Sequence, residues 1–133
     1  MGSSFTLFPL VKMFLSPNES RKMKQLLSIN DLHPVLYALK KYLQAQYRDR
    51  LSEVVLFGSY ARQQATDDSD IDVLIVLEGT VNSGIEIERT SEFVAQLCLE
   101  HDLVISRFFL PKSRYQTENS PLLRNIRKEG ISV

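Results

Sequence analysis

The chain has 133 residues, of which 44% are hydrophobic and 24% charged, as is typical of one globular domain. Its 16 basic and 16 acidic residues give a net charge of zero, which excludes binding to nucleic acid through bulk positive charge. No apolar run is long enough to span a membrane, and the single cysteine, Cys98, excludes an intramolecular disulfide. We therefore expect a cytoplasmic protein that binds neither nucleic acid directly nor a membrane.

The charges are distributed unevenly along the chain. Residues 51–110 carry 11 acidic and 3 basic groups, whereas residues 1–50 carry 3 acidic and 8 basic groups, and residues 111–133 carry 2 acidic and 5 basic groups. An acidic middle segment is either a solvated surface or a set of carboxylates that hold cations. Charge alone leaves both interpretations open.

The first 22 residues differ from the rest of the chain. Residues 1–15 are apolar but lack the positive leading region of a secretory signal, and residues 16–24 are polar and rich in turn formers. We expect residues 1–22 to be an N-terminal extension, with the domain at residues 23–133 and Met23 as a candidate native start.

The hydrophobic pattern predicts alternating helices and strands. Apolar residues recur at helical spacing in residues 32–51 and 83–100, and Ser120-Pro121 opens a last short helix. Strands are predicted where apolar runs are continuous, at residues 54–57, 71–77, 103–110 and 131–133. This order predicts the α/β class: a small mixed β-sheet with helices mainly on one face, which leaves the other face for a site.

Two aspartates begin the second predicted strand. Asp70 and Asp72 are two residues apart, so their side chains lie on one face of the strand. Paired carboxylates repel each other, and a divalent cation turns that repulsion into coordination. Oxygen ligands without His or Cys favour Mg²⁺ or Mn²⁺. The alternative is that Asp70 is a turn residue and Asp72 faces solvent.

A glycine and a serine end the first predicted strand. Gly58 lets the backbone approach a ligand closely, and Ser59 with the amides of a following helix start forms an anion site. If the strands at 54–57 and 71–77 pair, a phosphate held there lies beside the two carboxylates. Phosphate and metal ligands together are the minimum for phosphoryl or nucleotidyl transfer. Taken alone, Gly58-Ser59 is more often a tight turn.

The segment GSYARQQATDDSDIDVLIVL, residues 58–77, resembles the signature of the DNA polymerase β-like nucleotidyltransferases. Within that superfamily it is most similar to the minimal nucleotidyltransferases (MNT proteins), and the resemblance extends over residues 32–133. It implies that Gly58 and Ser59 contact the nucleotide phosphates and that Asp70 and Asp72 are metal ligands. The family often has glycine where this chain has Gln63, and we expect only a local change in the turn there.

The resemblance also implies a third carboxylate on a later strand, which maps onto Asp102. A third strand beside residues 71–77 would bring Asp102 to the first two aspartates, where it would hold a second metal ion or accept a proton. Without the resemblance, Asp102 is a residue at a strand edge. Arg62 is either a counter-charge for a phosphate or a solvated helix residue.

The function that the resemblance implies is Mg²⁺-dependent transfer of AMP from ATP to a hydroxyl, with two metal ions expected. Stand-alone proteins of this type are commonly antitoxins, and their partners are HEPN-domain toxins that some of them adenylylate on a tyrosine. Two alternatives remain open: an antitoxin that acts by binding alone, and a nucleotidyltransferase for a small molecule such as an aminoglycoside. Apolar helix faces allow either a homo-oligomer or a complex with the partner.

Overall fold

The computed structural model of the protein describes residues 32–65 and 69–133. Four helices and four strands follow one another in this part of the chain. Their bounds are α1 His33–Tyr47, β1 Leu51–Phe57, β2 Ile71–Leu77, α2 Ser83–His101, β3 Ile105–Pro111, α3 Lys112–Thr117, α4 Pro121–Glu129 and β4 Ile131–Ser132, with a 3₁₀ turn at Arg48–Arg50 after α1. The predicted order is confirmed, and α3 is the one helix that the hydrophobic pattern missed.

The expectations for residues 1–22 and for a native start at Met23 lie outside the described residues. Within the described ranges, no helix is both long and apolar enough to cross a membrane.

The four strands form one mixed sheet in the order β3-β2-β1-β4. β1 pairs antiparallel with both β2 and β4, whereas β2 and β3 are parallel and are joined through α2. This is the predicted crossover. In the resulting register Asp72 lies between Phe57 of β1 and Ser106 of β3. The pairing of β1 with β2 therefore places the end of β1 beside the aspartates that begin β2.

One face of the sheet is covered by the two longest helices. Strand residues Ile71, Val73 and Ile75 are fully buried against α1 and α2, because alternate side chains of β2 point to this face. The helices contribute the apolar positions predicted from their spacing, namely Val35, Leu36, Leu39, Leu43, Val94 and Leu97. Burial of these side chains is the main favourable contribution to folding.

The opposite face carries a smaller core under α4. Leu123 and Ile126 of α4 pack against Val55, Leu74 and Val76. The helix begins as predicted: Pro121 occupies its first turn, and the Ser120 hydroxyl accepts a hydrogen bond of 3.3 Å from the Leu123 amide. Since side chains alternate along β2, Asp72 lies on this same face, one step beyond Leu74.

A partly buried polar network fixes β3 against α2. The Arg107 guanidinium donates to the Thr90 hydroxyl at 2.8 Å and to the Ile87 carbonyl at 2.8 Å. Nearby, the Tyr47 hydroxyl donates to the nearly buried Glu86 carboxylate at 2.7 Å. Burial, together with this hydrogen bond, raises the pKa of Tyr47 above its ordinary value. These contacts set the position of the edge strand that flanks the aspartates.

Candidate active site

Asp70 and Asp72 lie at the start of β2, close enough for the charge of one to act on the other. Asp72 is half-buried within the strand, and Asp70 is exposed immediately before it. Burial raises the pKa of Asp72 above its ordinary value of 3.8, and the negative charge of Asp70 raises it further. The two aspartates therefore act on one another electrostatically, as the two-residue spacing predicts.

Gly58 allows the end of β1 to approach Asp72 closely. It follows Phe57, which is paired with Asp72 across the β1–β2 ladder, and its φ of +76° is a conformation that favours glycine. A Cβ atom at position 58 would overlap Asp72 Oδ2 and lie 3.2 Å from Asp72 Cγ. Any larger residue would thus displace the carboxylate. The Asp72 side chain rests on the backbone of the predicted phosphate-binding segment.

The segment after Gly58 is a compact turn. The Gly58 carbonyl accepts from the Arg62 amide at 3.1 Å, and the Ser59 carbonyl accepts from the Gln64 amide at 2.8 Å. The helix start predicted here is therefore limited to one turn. Gln63 ends this turn with a φ of 58°, so it adopts the left-handed conformation that suits the glycine expected there from the resemblance.

Arg62 belongs to this turn and contributes positive charge to the site. Its guanidinium partly offsets the rise in the pKa of Asp72, and it lies 3.8 Å from the Glu129 carboxylate at the end of α4. Arg62 also donates to the Gln64 side chain at 3.3 Å. Arg62 is exposed to solvent, and its positive charge also acts on the Asp72 carboxylate. A contact of Arg62 with a phosphate stays a prediction.

The prediction that Asp102 lies on the third strand is wrong. Asp102 caps the carboxyl end of α2 in the left-handed conformation, with φ 52°, and its amide donates to the Cys98 carbonyl. β3 begins only at Ile105. Among residues 32–65 and 69–133, no three His, Cys, Asp or Glu side chains are grouped so that they could share a metal ion. The structure therefore brings together Asp70 and Asp72 and does not add Asp102 to them.

Ser106 takes the position on β3 beside the aspartates. It is paired with Asp72 in the parallel ladder, and its hydroxyl donates to Asp70 Oδ2 at 3.3 Å. Ser106 was not among the predicted site residues because serine carries no distinctive signal at this position. Its place opposite Asp72 depends on the register of the parallel β2–β3 pair.

The residues at this site fit a hard divalent cation. Two carboxylates of like charge lie close enough to interact, and burial, followed by the negative charge of Asp70, raises the pKa of the half-buried Asp72. Mg²⁺ is commonly bound by one or two protein carboxylates together with substrate phosphates and water. The pair of Asp70 and Asp72, beside the Gly58-Ser59 turn, matches that ligand set.

Comparison with known proteins gives the class of protein that this fold and site define. Residues 36–131 match the family model described as a nucleotidyltransferase domain. A Methanocaldococcus jannaschii protein named as a candidate protein adenylyltransferase is 31% identical over 97 residues, which are 70% of this chain and 91% of that protein. The protein adenylyltransferase MntA of Thermococcus cleftensis is 35% identical over 80 residues, or 60% of this chain and 79% of MntA.

A solved structure of similar arrangement is the MntA–HpeT toxin–antitoxin pair, crystallised as a mutant. It superposes with a TM-score of 0.49 at 17% identity, over 74% of this chain and 70% of that one. The chain described here belongs to the nucleotidyltransferase domain family. The predicted family, its mixed-sheet fold and the enzyme class of nucleotidyltransferase are confirmed.

The conformation of Gln63 generates a stability prediction. Replacing Gln63 by glycine removes the steric cost of a positive φ, so we expect the free energy of unfolding to rise by about 0.5–1 kcal/mol. Urea denaturation measures this change. The control is Gln64→Gly, which has no positive φ to relieve and should be neutral or destabilising. Equal effects of the two substitutions would contradict the role assigned to the turn.

The raised pKa of Asp72 generates a second prediction. Because the folded state disfavours the charged carboxylate, Asp72 destabilises the protein at neutral pH, and this cost disappears as the pH falls below the ordinary value of 3.8. Asp72→Asn should therefore be more stable than the wild type at pH 7, with the difference vanishing near pH 3. Thermal melts across this pH range measure it.

Magnesium should make the wild type more stable than Asp72→Asn at pH 7. Mg²⁺ added at pH 7 is expected to raise the melting temperature of the wild type and of Asp49→Asn, whose charge lies at the other end of β1, but not that of Asp72→Asn. A similar Mg²⁺ effect on all three proteins would argue against a cation at the aspartate pair.

Proposed function

We propose that this protein is an antitoxin that transfers AMP from ATP to a hydroxyl group of its partner protein, with a tyrosine of a HEPN-domain toxin as the acceptor. The family gives the reaction class, and the two named relatives support a protein acceptor and adenylyl transfer. The observation that carries the proposal is the contact of the Asp72 carboxylate with the Gly58 backbone, beside Asp70. It brings cation ligands and a phosphate-binding turn to one point.

Different residues of the site bind the phosphates and the cation. The Ser59 hydroxyl and the amides at the start of the turn hold the outer phosphates, and Arg62 adds a positive charge beside them. Asp70 and Asp72 hold the cation, while Ser106 keeps Asp70 oriented through its hydrogen bond. Such catalysis depends on positioning and electrostatics. Mg²⁺ bound to the aspartates would offset negative charge on the α-phosphate.

The proposed reaction is a displacement at the α-phosphorus of ATP. The acceptor oxygen forms a bond to that phosphorus, the bond to the oxygen bridging the α- and β-phosphates breaks, and pyrophosphate leaves with the bonding electrons. The hydroxyl proton passes to water. The expectation of a second metal ion depended on Asp102 lying beside the other two aspartates. Ser106 lies on β3 beside them instead, so we propose one cation, held by Asp70 and Asp72. A protein that uses ATP in this way would work in the cytoplasm.

The test measures label transfer from ATP. The wild type, incubated with α-³²P-labelled ATP, Mg²⁺ and the protein encoded by the adjacent gene, should label that partner. The double variant Asp70→Asn/Asp72→Asn should lose at least about 100-fold in rate, because it loses the charges that hold the cation. Asp102→Asn is the matched control, and its activity should stay close to that of the wild type.

Other outcomes separate the competing functions. Undiminished labelling by the double variant would contradict the proposed site. If the double variant still suppresses toxicity of the partner in cells, the antitoxin acts by binding alone. Label on an aminoglycoside and not on protein would make the enzyme a small-molecule nucleotidyltransferase.

A further inference from the structure

An apolar groove runs along the face of the sheet that carries the aspartates, between β3 and α4. Its volume is about 320 Å³, at the lower end of the range for ligand pockets. We call it the β3–α4 groove. The apolar residues that line it are Phe57, Leu74, Ile87, Phe108, Phe109, Leu110, Leu122, Leu123 and Ile126, so the cavity also reaches the edge of β3 beside α2.

Two of these side chains are exposed to an unusual degree. Phe108 is 46% exposed and Leu122 is 57% exposed, one on each wall of the groove. The Phe108 ring also contacts the Phe57 ring, with the centroids 5.6 Å apart, so its position is fixed. The polar side chains of the lining already have hydrogen-bond partners. Arg114 is paired with Glu118 at 2.8 Å and 3.0 Å, and Arg107 donates to the Thr90 hydroxyl. The Ser83 hydroxyl donates to the Phe109 carbonyl, and the Ser120 hydroxyl accepts from the Leu123 amide. The groove therefore favours an apolar side chain over a group that needs hydrogen-bond partners.

The register places the groove next to the aspartates. Asp72 is level with Ser106, and the next residues on the same face, Leu74 and Phe108, are level with one another and belong to the groove. Two residues along a strand span roughly 6.5–7 Å. The groove thus begins one side-chain step from the carboxylates, on their own face of the sheet.

The in-line geometry of adenylyl transfer indicates from which side of the aspartates the acceptor approaches. The Gly58-Ser59 turn follows β1, on one side of the aspartates, whereas β3 and its groove lie on the other. In an in-line reaction the attacking and leaving oxygens lie on opposite sides of the phosphorus. If the outer phosphates lie over the turn, the acceptor oxygen arrives from the side of β3.

We propose that the β3–α4 groove binds an apolar or aromatic side chain of the acceptor polypeptide, two residues from the accepting tyrosine in an extended segment. This inference rests on the proposed function and names the substrate feature that the site selects. The segment that forms the α4 wall, residues 112–133, carries five basic and two acidic residues. Charge complementarity therefore favours an acceptor segment with acidic flanks.

The test uses the full chain with Mg²⁺ and a non-hydrolysable ATP analogue. The probe is a synthetic acidic peptide with phenylalanine two residues before tyrosine, and its control has alanine in place of phenylalanine. NMR titration should show tighter binding of the phenylalanine peptide, with shifts at Phe108 and Leu122. The variants Phe108→Ala and Leu122→Ser should each weaken that binding at least about tenfold, since they remove buried apolar contact.

A matched control variant and three possible results test whether the peptide binds in the β3–α4 groove. Leu99→Ser removes a leucine that is 81% exposed on α2, on the opposite face, and should leave peptide binding unchanged. Equal affinity for the two peptides, no saturable binding, or displacement of the peptide by free adenosine would overturn the groove assignment.

Labelled ATP separates the groove from the proposed function. With the same peptide, labelling of the tyrosine by the wild type and loss of labelling in Leu122→Ser would support both. Binding in the groove without label on either the peptide or the partner protein would refute the adenylyl transfer and keep the groove assignment. Labelling that is equal in the wild type and in both groove variants would refute the groove and keep the transfer.

Discussion

The close approach of the Gly58 backbone to the Asp72 carboxylate is the constraint on which the site depends. It requires a residue without a side chain at position 58, a positive φ there, and an antiparallel pairing that sets Phe57 opposite Asp72. Each condition is local, yet together they join two segments that are separate in sequence. As a result, the turn that would hold phosphates and the carboxylates that would hold a cation form one structure.

This arrangement costs stability in the absence of a cation. Two carboxylates share one end of a strand, and the half-buried one ionises less readily than an ordinary aspartate. The surrounding structure tolerates the cost because β2 is otherwise the best-buried strand, with Ile71 and Val73 to Leu77 almost fully enclosed. Enzymes commonly have a functional site that lowers stability and a rigid core that compensates for it. Binding of a cation to the two carboxylates would then recover part of this cost in stability.

Most of the fold, and the meeting of Gly58 with the Asp70–Asp72 pair, could be predicted from the sequence for identifiable reasons. Strand alternation alone put Asp70 and Asp72 on one face, and the glycine marked the end of β1. Asp102 was misplaced because it directly precedes the apolar run at residues 103–105, which hid a helix that continues to His101 and a left-handed cap after it. Ser106 and the place of α4 on the aspartate face depend on pairing register and packing direction, which periodicity does not encode.

The most direct measurement is the anomalous scattering of Mn²⁺ in a crystal of the protein grown with a non-hydrolysable ATP analogue. The account predicts a peak within about 2.2 Å of a carboxylate oxygen of Asp70 and another of Asp72, with the phosphates of the analogue on the Gly58-Ser59 turn. A crystal that holds the analogue with no metal peak between these aspartates, or with the Asp72 side chain turned away from Asp70, would contradict it.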